Sequence, residues 1–417
     1  MRFDFHGVTV NVTSSDPETL RFFEASFALQ LEGEDAVRAP AGLASATQRA
    51  GADMPPVDRS GVPADVRIVI EPDRAHSRET APNNAAPRAK RARRLFRTKD
   101  AVVTRSGSAQ IFETSERATV TYDFGTESGA IFGPDRDLAL EKGYLLVTTR
   151  VGALLDRRGL HRVHAMGVAR GEDALLCALA MGGGKTTLTL ELMRGGGAPA
   201  TSRAASDGWR LLSDDSPLIG RDGRVWPLPI RPGVVQGTPL PDVPAHLLIS
   251  FPRSRYGPKT LIDARHFAGR VAPPSRVRVI AFGARADRTV PTARRRTGLA
   301  GLAVLWQAGV MGRGLAELLE YSAPFSAAGA MELVRTRISR FFAMLAALRG
   351  AAVYELALGN DAAANASLVG SLLDAHRAAG ARPRADAGFE RYDEPPAPHI
   401  EPAPPTEPAA EHATSRQ

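Results

Sequence analysis

The sequence feature that most constrains the fold is an apolar run followed at once by a glycine-rich turn, a lysine and two threonines. The run is Ala174–Ala180, and the residues after Met181 are Gly182, Gly183, Gly184, Lys185, Thr186 and Thr187. The run predicts a strand, and KTTLTLELMR after the glycines predicts an amphipathic helix. A strand, a glycine loop and a helix in this order are typical of a phosphate-binding loop, so we expect an α/β core.

Each residue type in this turn has a physical reason to bind phosphate. Glycines adopt positive φ and bring backbone N–H groups close to phosphate oxygens, where the helix N-terminus adds a partial positive charge. Lys185 is predicted to reach the β- and γ-phosphates of ATP, Thr186 to hold Mg²⁺, and Thr187 to bond an α-phosphate oxygen. Leu179 stands where the pattern GxxxxGK[ST] has its first glycine. An ordinary glycine-rich turn that opens a helix is therefore the alternative interpretation.

A second candidate motif, WRLLSDDSPLI at residues 209–219, predicts a strand that ends at Asp214 and Asp215. Beside a phosphate loop, one carboxylate can hold Mg²⁺ and the other can accept the proton of an attacking hydroxyl. Adjacent carboxylates repel each other, so one of them has a raised pKa unless a metal offsets it. The alternative is a turn with two solvated acids.

The order of these motifs resembles the catalytic domain of the HPr serine kinase/phosphorylase superfamily of P-loop kinases. The matched order is His164-Ala165, strand, GGGKTT, helix, Arg194-Gly195, strand, Ser213-Asp214-Asp215, from about Leu160 to Ile219, with a looser match to about residue 360. The resemblance implies a kinase that uses ATP and Mg²⁺ to phosphorylate a serine, with His164 beside the site and one aspartate of the pair as base. We favour Asp215 as the base, and Asp214 with Thr186 as the metal ligands.

Departures from the family pattern bear on the substrate. Leu179 replaces the first loop glycine, the segment GAPATSRAASDG separates the helix from the acidic strand, and RDGRVWPLPIRPGVV follows the acids in place of the family's glycine-rich signature. We therefore expect a serine/threonine kinase acting on a protein or peptide other than HPr. Two other classes remain open: a nucleotide-binding regulatory module without transfer, and a P-loop NTPase.

The chain divides into three predicted regions. Residues 1–150 are expected to form a mostly β region with flexible insertions at about 34–64 and 72–100, residues 151–379 the P-loop domain, and residues 380–417 a disordered tail rich in Pro, Ala and Glu.

Individual elements are predicted from local pattern. Strands are expected at residues 66–71, 110–114, 119–124, 144–149 and 161–169, and a helix is expected after Ser15-Asp16-Pro17. A further helix at 331–349, ended by Gly350, is predicted to be apolar at Val334, Ile338, Phe341, Leu345 and Leu348.

Composition excludes several classes. Cys177 is the single cysteine, so intramolecular disulfides and cysteine-built zinc sites are excluded, and His161 and His164 have no partners for a metal site. The net charge of +8 comes from 53 basic residues of which five are lysines, a coding bias that does not indicate nucleic-acid binding. With neither a secretory signal nor an apolar span apparent, we expect a cytoplasmic protein, with homo-oligomerisation left open.

Two further cations are weaker candidates. Arg231 is expected to flank the site, where it could stabilise charge on the transferring phosphoryl group, although a surface cation is an equal alternative. Lys259 is of interest because lysine is scarce in this chain.

Overall fold

The computed structural model describes residues 1–31, 64–72, 93–97, 101–194, 208–253, 257–312 and 327–380. Over these residues the chain is a mixed α/β protein. Most of the two predicted insertions and of the predicted tail lie outside the described residues. Met1–Ala379 form one compact unit, and the predicted boundary at residue 150 falls within a long helix of that unit.

An eight-stranded sheet with two covering helices forms the N-terminal part. Its elements are β1 (Arg2–Phe5), β2 (Val8–Thr13), α1 (Pro17–Phe27), a 3₁₀ turn (Ala28–Gln30), β3 (Val66–Glu71), β4 (Arg93–Arg97), β5 (Ala101–Ser106), β6 (Ala109–Thr114), β7 (Thr119–Asp123), β8 (Ser128–Phe132) and α2 (Arg136–Arg157). The strand order is β1-β2-β3-β8-β7-β6-β5-β4, with β3 parallel to both of its neighbours. Phe23 of α1 and Leu146 of α2 are fully buried in the apolar core that these helices form with the sheet.

Several N-terminal predictions are confirmed and two are wrong. Asp16 caps α1 by accepting hydrogen bonds from two backbone N–H groups of the first turn, as its sequence signal predicts. Residues 144–149 form part of α2, not a strand, because Asp135 caps a helix whose buried residues recur at helical spacing. The basic segment RAKRARRLFR at residues 88–97, part of the insertion expected to be flexible, contributes Arg93–Arg97 as β4, paired with β5.

The C-terminal part contains a nine-stranded sheet, a three-stranded sheet and four helices. Its elements are β9 (Leu160–Arg162), β10 (Met166–Arg170), β11 (Asp173–Leu179), α3 (Lys185–Arg194), β12 (Trp209–Ser213), β13 (Leu218–Gly220), β14 (Arg224–Trp226), β15 (Gly233–Val235), a 3₁₀ turn (Ala245–Leu247), β16 (Leu248–Phe251), β17 (Lys259–Ile262), a 3₁₀ turn (Ala264–Phe267), β18 (Ser275–Arg285), β19 (Thr292–Arg296), α4 (Gly298–Leu305), a π-helical turn (Trp306–Val310), α5 (Ala327–Leu348), β20 (Ala352–Leu358) and α6 (Ala362–Gly380).

The topology of the large sheet brings two strand ends to one edge. Its order is β12-β10-β11-β18-β14-β13-β9, and β20 joins β18 to β19. Strand β10 runs antiparallel to both β11 and β12, so β11 and β12 point the same way and end where β10 begins. Helix α3 packs over these strands through Leu188 and Leu192, which lie in one apolar cluster with Met166 and Leu175. The glycine loop after β11 and the acids after β12 therefore meet at one edge of the sheet.

The predicted strand at 161–169 is two strands. Leu160–Arg162 pairs with β13, and Met166–Arg170 pairs with β11 and β12, so the chain crosses the sheet between them. His164 lies in this crossover, where its backbone N–H donates to the carbonyl of Ala308. The crossover places His164 two residues before β10, at the same edge as the loop.

Helix α5 is confirmed, but its buried face differs from the predicted one. Val334 and Ile338 are each about half exposed, while Ala343, Met344 and Ala347 are buried. Gly350, with φ of 80°, follows the helix end as predicted. None of the helices within the described ranges is long and apolar enough to cross a membrane.

Candidate functional site

The glycine loop has the backbone geometry that the sequence predicts. Gly182 and Gly184 have φ of 76° and 92°, in the left-handed region that favours glycine. The N–H of Gly183 donates to the carbonyl of Ala180 at 2.9 Å, which closes the turn before α3 begins at Lys185. The first backbone N–H groups of α3 consequently point toward the loop, and an anion placed there would meet a positive helix end.

Lys185 is the centre of the site. Its side chain is only 8% exposed, and its ammonium donates to the carbonyl of Leu179 at 2.8 Å. The same nitrogen lies 3.1 Å from His164 Nε2 and 3.4 Å from Asp215 Oδ1. A carbonyl, an imidazole and a carboxylate thus hold the ammonium where the loop and the acidic pair meet.

His164 links Lys185 to Asp215. Because an ammonium can only donate, Nε2 of His164 accepts from Lys185, which leaves the proton of the neutral ring on Nδ1. Nδ1 lies 3.3 Å from Asp215 Oδ1. This N–H faces the carboxylate without the alignment of a full hydrogen bond, since Nδ1 has no such partner among the described residues. His164 can therefore orient the carboxylate of Asp215.

Asp214 is buried and bonded to the loop. The hydroxyl of Thr186 donates to its Oδ2 at 2.8 Å, and the residue is 5% exposed. Burial raises the pKa of Asp214 to about 6; repulsion by Asp215 adds to the rise, whereas the Thr186 hydrogen bond and the charges of Lys185 and Lys259 oppose it. A buried carboxyl group with a raised pKa binds a proton or a cation in preference to remaining a bare anion.

The donor set fits Mg²⁺. Asp214 Oδ1 is buried and has no hydrogen-bond partner among the described residues, so one oxygen is available beside the Thr186 hydroxyl. Mg²⁺ prefers oxygen ligands and commonly takes one or two carboxylates together with phosphate oxygens. No cluster of three or more His, Cys, Asp or Glu residues that could hold a metal occurs in the described part of the chain, so a protein-only metal cage is not built there.

Asp215 differs from Asp214 in exposure. Its side chain is 40% exposed, and its contacts are with the two basic groups His164 and Lys185. A group that must accept a proton from an external hydroxyl has to be accessible, whereas a metal ligand can be buried. The sequence analysis assigns the base to Asp215, the more exposed acid, and this division of roles stays a prediction.

The remaining predicted residues lie around this centre. Thr187 is exposed on the first turn of α3. Arg231 does not contact the acids; its guanidinium lies 4.2 Å from the ring centre of Phe22 and 4.4 Å from that of Tyr144. Lys259 interacts electrostatically with Asp214 and Asp215.

Two residues that interact with the predicted cations Arg231 and Lys259 were not anticipated. Tyr144 is partly buried, desolvation raises its pKa, and it interacts electrostatically with Arg231, Asp215 and Asp214. Arg253 is partly buried and lies 3.9 Å from Glu141. Neither carries a sequence signal, because Tyr144 was placed in a predicted strand and Arg253 is one of many arginines.

Comparison with known proteins gives no family assignment. No family model matches the chain, and no curated protein matches it in sequence.

Proposed function

We propose that this chain is an ATP- and Mg²⁺-dependent kinase of the HPr kinase-like P-loop type, which transfers the γ-phosphoryl group to a serine or threonine hydroxyl of a protein or peptide. The proposal rests on two contacts between the loop and the acidic pair. Lys185 Nζ lies 3.4 Å from Asp215 Oδ1, and the Thr186 hydroxyl lies 2.8 Å from Asp214 Oδ2. Groups suited to a triphosphate and a group suited to a hydroxyl proton therefore share one site.

The proposed reaction is a direct displacement at phosphorus. The acceptor oxygen forms a bond to the γ-phosphorus, the bond from that phosphorus to the β–γ bridging oxygen breaks, and ADP leaves with the electron pair. Asp215 takes the hydroxyl proton, while the loop N–H groups and Lys185 offset the phosphate charge. Mg²⁺, held by Thr186 and Asp214, would supply further positive charge at the phosphate oxygens.

The two basic side chains beside Asp215, Lys185 and His164, determine when it can act as a base. An ammonium bonded to Asp215 competes with the hydroxyl proton for the same oxygen. When Lys185 turns from Asp215 to a phosphate oxygen, the carboxylate becomes free to accept that proton. His164 remains beside Asp215 and orients it, so we regard His164 as a positioning residue.

Replacing Asp215 with Asn tests the assignment. We expect Asp215→Asn to bind a fluorescent ATP analogue within about twofold of wild type and to slow phosphoryl transfer about 10²- to 10⁴-fold, the usual contribution of a general base. Transfer is measured with labelled ATP on a library of serine- and threonine-containing peptides. Asp374→Asn is the matched control, because Asp374 is similarly exposed (46% against 40%) and pairs with Arg170 at 2.8 Å.

Other outcomes identify the alternatives. Transfer by Asp215→Asn at nearly the wild-type rate would show that another group is the base. Nucleotide binding by wild type with no labelled product would favour a regulatory module. Phosphate release far in excess of peptide labelling would favour an NTPase.

A further inference from the structure

Three basic side chains lie on or beside the strands of the small sheet, one of them, Lys259, interacts electrostatically with the acidic pair, and the proposed reaction uses none of them. We call Arg231, Arg253 and Lys259 the cationic cluster. Arg231 precedes β15, Arg253 follows β16, and Lys259 begins β17, which pairs with both strands. Because β17 is the central strand, these three residues belong to one small structural unit.

The Lys259 side chain extends along the sheet toward Arg231. Strand pairing sets Lys259 level with Val235 and Phe251. Its stem nevertheless lies over Gly233, two residues nearer Arg231, because a Cβ built on Gly233 would be 3.5 Å from Lys259 Cδ. The ammonium of Lys259 interacts electrostatically with both arginines and with both acids.

The positive charges of the two arginines repel that of Lys259. Burial lowers the pKa of Lys259, repulsion by Arg253 and Arg231 lowers it further, and attraction by Asp215 and Asp214 opposes these effects. Lys259 has no ion pair or side-chain hydrogen bond within the described part of the chain. An ammonium that is partly desolvated and unpaired retains its capacity to bind an anion.

Arg231 is fixed by its surroundings. Its guanidinium lies between the rings of Phe22 and Tyr144, and its Nε and Nη1 are buried without hydrogen-bond partners among the described residues. Burial lowers its pKa to about 10, which still leaves it charged at neutral pH. The aromatic rings therefore hold a fixed positive charge that interacts electrostatically with Lys259.

The nucleotide already has its own cations in the proposed site. Lys185 and the loop amides approach the acids from β11 and α3, whereas Lys259 of the cationic cluster interacts with them from β17. Asp215 interacts with a lysine from each direction, by contact with Lys185 and electrostatically with Lys259. The second group of cations is therefore suited to the other reactant, the phosphoacceptor.

We propose that the cationic cluster of Arg231, Arg253 and Lys259 binds a carboxylate of the phosphoacceptor, so that the preferred acceptor is an acidic peptide segment with Asp or Glu close to its serine or threonine. This inference rests on the proposed function, because it assigns the acceptor side of the same site. Partly desolvated cations favour an anionic partner over a neutral one, and like charges would repel a basic peptide.

Peptide binding tests this inference independently of transfer. The probes are two fluorescein-labelled serine peptides that differ only in having four glutamates or four glutamines around the serine. Wild type should bind the glutamate peptide about 10-fold or more tightly than the glutamine peptide, as expected for one or two charge-assisted hydrogen bonds. Lys259→Met should reduce this preference to about threefold or less, and Lys259→Arg should restore most of it.

Lys142→Met is the matched control. It removes the same charge from the same residue type, at a lysine that pairs with Glu116 at 3.0 Å on another part of the chain. This variant should keep the full preference for the glutamate peptide. Affinity for a fluorescent ATP analogue, measured on all variants, shows whether Lys259 acts on the acceptor or on the nucleotide.

Each outcome decides a separate question. Equal affinity for the two peptides, or no binding of the glutamate peptide, would overturn the acidic-acceptor inference, as would a loss of ATP affinity in Lys259→Met with the peptide preference intact. Absence of labelled product from every peptide would instead count against the kinase, while the binding comparison would still decide what the cluster recognises.

Discussion

A buried ionic network joins four elements of the chain, and its disruption gives a quantitative prediction. Asp156, at the end of α2, bonds His161 Nδ1 at 2.8 Å and accepts from both Nε and Nη2 of Arg340 on α5. Arg340 also donates to the carbonyl of Gly309, and His161 Nε2 lies 2.9 Å from the Ser339 hydroxyl. Asp156 is 7% exposed and His161 is fully buried.

The serine, histidine and aspartate have the connectivity of a hydrolase triad, but their position indicates a structural role. Ser339 lies in the middle of α5, where the backbone N–H groups are hydrogen-bonded along the helix and cannot form an oxyanion hole. The network instead ties α2, β9, the π-helical turn and α5 together.

Removing one partner of the Asp156–Arg340 ion pair should lower the free energy of unfolding strongly, whereas removing both should lower it only slightly. Asp156→Ala leaves the buried guanidinium of Arg340 and the His161 ring without their acceptor, and should lower the free energy of unfolding by about 3–5 kcal/mol. Asp156→Leu combined with Arg340→Met removes both charges and restores apolar volume, so this variant should be within about 2 kcal/mol of wild type. The exposed pair Arg170–Asp374 supplies the comparison, since Asp374→Ala should cost no more than about 1 kcal/mol.

Denaturant unfolding followed by circular dichroism measures these differences. Burial alone would raise the pKa of Asp156, but hydrogen bonds from His161 and Arg340 and their charges outweigh burial and hold it below its usual value. The stabilisation is therefore present above about pH 4, the ordinary carboxyl pKa, and is lost as pH falls further. The reasoning would be refuted if Asp156→Ala lowered the free energy of unfolding no more than Asp374→Ala does. It would also be refuted if the double variant lost as much stability as the two single variants added together.

Two further predictions concern single positions. Asp214→Asn in metal-free buffer should raise the free energy of unfolding at pH 8 by about 3 kcal/mol, since the pKa of Asp214 is raised from 3.8 to about 6 and each unit corresponds to about 1.4 kcal/mol. The gain should fade between pH 6 and pH 4, where the native carboxyl group becomes protonated, and denaturant titrations at three pH values check it. Gly283→Ala should destabilise the chain by about 3 kcal/mol or more, because its Cβ would lie 1.9 Å from the carbonyl oxygen of Leu356 on the adjacent strand. A melting temperature within about 2 °C of wild type would contradict this close approach.

The local part of the site could be predicted because its signals lie close together in the sequence. Glycines with positive φ, a helix that begins at Lys185 and a strand that ends before Asp214 are all properties of short segments. The contact between Lys185 and Asp215 depends in addition on both strands pointing the same way. That direction follows from β10 lying antiparallel between them, an arrangement that motif order alone does not state.

The parts that could not be predicted depend on contacts between distant segments. Residues 144–149, YLLVTT, are rich in the aromatic and β-branched residues that favour strands, and only the Asp135 cap and the longer burial pattern distinguish the helix. Arg253 lies close to Lys259 because β16 pairs with β17, and nothing in its sequence neighbourhood distinguishes it from other arginines. Val334 on α5 is exposed because no other element covers its side of the helix among the described residues. Helical spacing predicts that the helix has an apolar face, but it does not predict which elements pack against that face.

The leucine in place of the first loop glycine has a structural explanation. Leu179 is still part of β11, in an extended conformation paired with Gly283, so its backbone needs no positive φ. Its carbonyl accepts from Lys185, and the turn closes one residue later, between Ala180 and Gly183. A Cβ on Gly183 would lie 3.1 Å from the Cβ of Leu179 and 2.9 Å from the Ala180 oxygen. The Ala180 carbonyl and the Leu179 side chain therefore together restrict position 183 to glycine, and the loop needs a bare backbone at 183 although it has a side chain at 179.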